Sequence, residues 1–241
     1  DDDEDDICQY TQKIGTIKPT TTHFDDHSLL GANYLRYKPE KIIIWTSEVG
    51  GKNIISGIQT FFRDIIDNKL INSGKNIGSK SELQKEITIK PDQYLVNCRV
   101  WTDLNTINKI YLKTNKGIEF EFGDENGEEK KIDALSTGNK IIISFFGSYD
   151  QYLETFGLHL IEKKEYMKVL FTGYFELKAK LKKDKYKEEI LQKLKDGKYK
   201  FQEEVIIRTW LVPDNQFNEI IKAFRTQDIV KKYIGLVGIR K

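Results

Sequence analysis

The 241-residue chain has little of the side-chain chemistry that usually announces a reaction. It has two cysteines, Cys8 and Cys98, in no CxxC spacing, and three scattered histidines, His23, His27 and His159. That set does not form a zinc-type ligand pattern, so no metal or other cofactor is expected. A Cys8–Cys98 disulfide stays open from sequence. There is no Gly-x-Ser-x-Gly, phosphate-binding glycine loop or dinucleotide fingerprint, which removes the common signatures of nucleophilic and nucleotide chemistry. No apolar run approaches the ~18–20 residues that cross a bilayer, and no apolar targeting segment opens the chain. Asn-x-Ser/Thr acceptors are missing as well.

What is present is a mixture of apolar and charged residues, 39% and 32%, which suits a folded chain with an ample core and not a disordered one. The net charge of +2 hides a strong asymmetry. DDDEDD at 1–6 places six acids in six residues, whereas 165–241 holds 18 Lys/Arg against 11 Asp/Glu. Both read first as solvated surface. The basic third lacks the glycine–aromatic pattern of an RNA-binding sheet and any Arg-dense helix, so a nucleic-acid partner is not expected.

From about 41 to 161 the pattern is all-β. KIIIWTSEV and NIISGIQTFFRD are β-branched and aromatic runs joined by Gly50-Gly51, a turn pair whose φ freedom suits a tight hairpin. KEITIKPDQYLVNCRVWTD reads as two strands broken near Pro91-Asp92, and NKIYLKTNKGIEFEFG as a hairpin across Thr114–Gly117. KIIISFFGSYD and FGLHLIEKK supply two closing strands. Strands at this spacing predict a sandwich, barrel or prism. Residues 69–84, rich in Ser, Gly, Asn and Lys, read as an exposed mobile loop, and 1–19 as an irregular acidic N-terminal tail. After 165 the character changes: KDKYKEEILQKLKDGK is an amphipathic helix with Tyr186, Ile190, Leu191 and Leu194 on one face. With flanking strand-like runs it predicts a smaller α+β C-terminal extension over 165–241.

In order, HFDD (23–26), EKIIIWTSEV, IISGIQTFF, KPDQYLVNCRVW, LKTNKG and FFGSYDQYLETFGLHL resemble the segments of a jacalin-type lectin domain over about 20–162. The resemblance implies a β-prism, three four-stranded antiparallel sheets around a pseudo-threefold axis, for residues 20–164. It also implies metal-independent monosaccharide binding without catalysis, with a mannose- or galactose-type glycan as the partner. In that family the sugar lies between an early glycine loop and a final Gly-x-x-x-Asp loop. There a carboxylate accepts from sugar hydroxyls, backbone N–H groups donate, and glycines permit close approach.

The resemblance places the site at Thr21 and Asp25 in the early loop and Asp150, Gln151, Tyr152 and Glu154 in the final one. Glu154, read as an exposed loop acid, is the expected hydroxyl acceptor. The N–H groups of Gln151 and Tyr152 are the expected donors, and Tyr152 the apolar platform. Three positions depart from the pattern: Thr21 and Asp150 stand where the family has glycine, and Glu154 replaces Asp. A second reading follows from those departures: a scaffold subunit whose prism has lost sugar binding and whose extension docks a protein partner. On location the opening without Met and the lectin resemblance lean toward a secretory route, while missing sequons and sparse cysteines lean back.

Overall fold

The computed structural model describes residues 7–64, 69–90 and 93–163. Three long antiparallel hairpins organise it. In the first, β4 (Tyr37–Val49) pairs with β5 (Lys52–Asp64) through the Gly50-Gly51 turn, where φ is +60° and +78°. In the second, β9 (Leu95–Thr102) pairs with β10 (Ile107–Thr114), and in the third, β13 (Lys140–Tyr149) with β14 (Leu153–Glu162).

Each hairpin is widened on both sides by its flanks, which gives four strand positions across each sheet. The first gains β8 (Leu83–Thr88) on one side, with β6 (Leu70–Asn72) and β7 (Asn76–Ile77) on the other. The second gains β11 (Glu119–Gly123) and β12 (Glu128–Lys131). The third gains β3 (Thr22–Asp25) against β13, while the short β1 (Gln9–Tyr10) and β2 (Ile14–Gly15) both lie against β14. A single residue pair, Ile142 with Leu95, links the third sheet to the second. The architecture is therefore the β-prism anticipated from sequence.

Period-two alternation builds the core. Ile42, Ile44, Ile58, Val100, Ile110, Leu112, Phe145, Phe156, Leu158 and Leu160 all face one shared apolar interior. Ordering three sheets is repaid mainly by that burial, since each sheet alone would leave an apolar face in water.

Two sequence expectations change. The polar run at 69–84 is not a free loop: β6 and β7 hydrogen-bond to β5, because an edge strand needs only backbone partners and tolerates polar side chains. The expected tail at 1–19 contributes β1 and β2 for the same reason. A short helix α1 (Asp26–Leu30), followed by a 3-10 turn (Gly31–Arg36), separates β3 from β4. Cys8 and Cys98 form no disulfide with each other, and Cys98 is buried in the core. The α+β extension expected over 165–241, its amphipathic helix and the 164/165 boundary lie outside the described residues, as does the acidic run 1–6.

Candidate functional site

The turn between β13 and β14 is where the sequence places the final loop. Tyr149 pairs with Leu153 and Ser148 with Thr155, so Glu154 sits in a β-bulge, the extra residue between two ladder pairs. Bulges redirect a side chain and recur beside binding sites. Here the consequence is that Glu154 is not an exposed loop acid: its side chain is only 2% exposed. Strand β14 begins one residue earlier, at Leu153, because buried Leu153 anchors the strand in the core.

The Glu154 carboxylate is incompletely satisfied. Its Oε1 lies 3.5 Å from the Lys18 ammonium, which is half exposed. Its Oε2 is buried and has no hydrogen-bond partner among the described residues. Leaving a buried acceptor unpaired costs about 1–3 kcal/mol, more when it is charged, so this carboxylate oxygen carries an unmet bond behind the Lys18 side chain.

Donor groups stand on the same turn. Asp150 N–H donates to the Tyr152 carbonyl at 3.1 Å, closing the turn. The N–H groups of Gln151 and Tyr152 make no hydrogen bond within the described residues. Gln151 is exposed and Tyr152 half-buried. Acceptor, donors and aromatic ring therefore converge on one turn.

Two other segments hold that turn. From the first sheet, Ser79 N–H and Lys80 N–H donate to the carbonyls of Asp150 and Gln151, both at 3.0 Å. Gly78 makes this approach feasible: a Cβ there would lie 2.2 Å from the Gln151 oxygen. From the N-terminal segment, Gly15 pairs with Thr155, and Thr20 Oγ1 lies 3.4 Å from Asp150 Oδ2. Sequence reasoning did not single out Lys18, Thr20, Gly78, Ser79 or Lys80. The signal available was Gly78-Ser79 inside the polar run.

The remaining expected residues are placed differently. Thr21 lies in the same loop but is turned onto it, its hydroxyl donating to the Lys18 carbonyl at 2.9 Å. Asp25 pairs in register with Phe146, three residues along β3 from Thr22, or roughly 10 Å from the turn. It caps α1, accepting from the N–H groups of His27 and Ser28, and takes the Tyr10 hydroxyl at 2.9 Å. Burial alone would raise its carboxyl, but Tyr10, His159 and the two cap amides outweigh that and hold it below the usual carboxylate range. The structure thus gathers Thr21, Asp150, Gln151, Tyr152 and Glu154 around one turn and sets Asp25 apart.

One arrangement near Asp25 resembles a nucleophile triad. Ser144 Oγ lies 2.6 Å from His159 Nδ1, and His159 Nε2 lies 3.1 Å from Asp25 Oδ1. Ser144 is 1% exposed and His159 fully buried, so no substrate carbonyl reaches the hydroxyl. The set is a buried polar brace that ties β3 to the third hairpin. Among the described residues no group of three or more His, Cys, Asp or Glu is gathered to hold a metal ion, and no helix is long and apolar enough to cross a membrane.

Three four-stranded sheets with a loaded turn at the end of the third hairpin agree with comparison to known families. The profile of the jacalin-like lectin domain matches residues 15–159, more than half of the chain. The chain belongs to that family. No curated protein matches it. Similar solved structures include AcmJRL, described as a mannose-binding jacalin-related lectin from Ananas comosus. It is 17% identical, covers 65% of this chain and 99% of its own, and has a TM-score of 0.48. Frutapin, a lectin from Artocarpus incisa, is 18% identical with a TM-score of 0.49, covering 65% of this chain and 98% of its own.

Proposed function

We propose that this protein is a non-catalytic, metal-independent lectin. It would bind a monosaccharide unit of a mannose- or galactose-type glycan at the Asp150–Glu154 turn. The observation that carries the reading is the unpartnered Glu154 Oε2 beside the unused N–H groups of Gln151 and Tyr152. Two vicinal sugar hydroxyls supply what this turn lacks: each donates to the carboxylate and accepts from an amide. Tyr152 covers the C–H face of the ring, and Lys18 and Thr20 border the opposite side. Asp150, already in contact with Thr20, positions the loop.

The test is calorimetric titration of the full chain with methyl mannoside and methyl galactoside. A saturable signal is expected with one of them. Glu154→Ala should weaken it at least tenfold, since a hydrogen bond to a charged group contributes about 1.5–3 kcal/mol. Its thermal midpoint should not fall, because the substitution removes a buried, half-satisfied charge. Undiminished binding by Glu154→Ala would sink the assignment.

A second reading has its own support. Lys18 and Thr20 reach Glu154 and Asp150 across the space a sugar would enter, as in a prism that has closed its pocket and serves as a scaffold for a protein partner. Absence of heat with either glycoside, together with a gain of binding in Lys18→Gly, would favour that reading over the lectin.

A further inference from the structure

An open groove of about 660 Å³ runs along the second sheet toward the end of β14. Five cations line it: Arg99, Lys113, Lys131, Lys140 and Lys163. The two acids on its wall are Glu129 and Asp133. Glu129 is already committed, accepting from Arg99 Nε and Nη2 at 2.6 and 3.0 Å. Lys140 is engaged by Gln9 Oε1 at 2.6 Å and lies 3.8 Å from Glu162. Lys113 and Lys163 have no carboxylate partner among the described residues. Lys163 instead lies 6.0 Å from the centre of the Tyr94 ring. Net positive charge is therefore left over in a concave, partly apolar channel, where like charges repel at a cost unless an anion joins them.

The chain itself supplies such an anion at the right end. Strand β1 runs antiparallel to β14, Tyr10 opposite His159 and Gln9 opposite Leu160. Followed backward from Gln9, this direction leads past the end of β14 toward Glu162 and Lys163, into the mouth of the groove. Beyond Cys8 and Ile7 in that direction come Asp6, Asp5, Glu4, Asp3, Asp2 and Asp1. Six residues extend to about 20 Å at most, a reach that lets successive acids meet more than one cation of the groove.

We propose that the acidic run 1–6 docks in this groove and occupies it in place of external anions. The contact is electrostatic and reversible. It is independent of the sugar site, because the groove shares none of the residues around the Asp150–Glu154 turn.

The test is zero-length carbodiimide coupling of carboxyls to amines in the full chain, mapped by mass spectrometry. At low ionic strength most couplings from residues 1–6 should go to Lys113, Lys131, Lys140 and Lys163. In about 1 M salt, where the screening length is about 3 Å, they should drop several-fold. The triple variant Lys113→Gln, Lys131→Gln, Lys163→Gln should show several-fold less total coupling of residues 1–6 at low salt. Couplings spread over lysines outside the groove, gathered on 165–241, absent, or insensitive to both salt and the triple variant would each overturn the proposal.

Discussion

Asp25 and Asp26 adjoin in sequence and live in opposite environments. Asp25 is surrounded by donors, and Asp26 is buried beneath the third hairpin with the Phe145 N–H at 3.3 Å. Burial is the main cause that pushes the Asp26 carboxyl up to about 7, helped by the Asp25 charge and opposed by that amide. An acid whose folded value lies above its unfolded one binds a proton more tightly when folded. Its stability contribution is therefore full below pH ~4 and is lost as pH rises through about 7. Asp26→Asn should remove that loss: the stability gap between variant and parent should widen from pH 4 to 8, reaching up to about 4 kcal/mol. Chemical denaturation at several pH values measures it, and a gap flat with pH would refute the buried-acid account. At this scale the sequence showed which carboxylates stand at the final turn. It did not show that Asp25 is a brace, because Tyr10 and His159, which fix it, are 15 and 134 positions away along the chain.

At the scale of elements, the candidate site is a turn held by two strangers. The turn itself was legible, since GSYDQYLETFG interrupts two β-rich runs. Its supports were not, because the loop carrying Gly78, Ser79 and Lys80 belongs to another sheet and bonds to the turn through backbone amides. Backbone contacts leave little trace beyond a glycine. The glycine gives the prediction: in Gly78→Ala the new Cβ would sit 2.2 Å from the Gln151 oxygen and 2.5 Å from its carbonyl carbon. Main chain must move on both sides. Amide exchange at Ser79 and Lys80 should accelerate, and glycoside affinity should fall about tenfold, equivalent to roughly 1.4 kcal/mol. Unchanged exchange at both amides would show that the two loops are held by something else. Bulge formation at Glu154 was equally hidden, as alternation alone extends the exposed loop to that residue and only pairing with β13 shows where the strand begins.

At the scale of the molecule, the order of strands was readable because each hairpin is local, with turn glycines or polar residues between alternating apolar runs. The flanking strands were harder, since β1, β2, β6 and β7 are only two or three residues long, too short to show an alternation, and they form only against an existing sheet edge. Such dependence implies one cooperative unit, in which the core fixes the hairpins and the hairpins fix their edges. Phe156 is the place to probe it: fully buried, stacked on Phe145 at 5.4 Å, and part of the interior that all three sheets share. Phe156→Ala should cost about 3–5 kcal/mol. Trp45 lies in the first sheet and Trp101 in the second, so chains in which Trp210 and one of these two indoles are replaced report the sheets separately. With Phe156→Ala added to each, both reporters should shift their denaturation midpoints by the same amount, though neither sits on the mutated strand. A shift confined to one reporter would mean that the sheets unfold separately, and that the turn bearing Glu154 is held by its own hairpin and not by the prism as a whole.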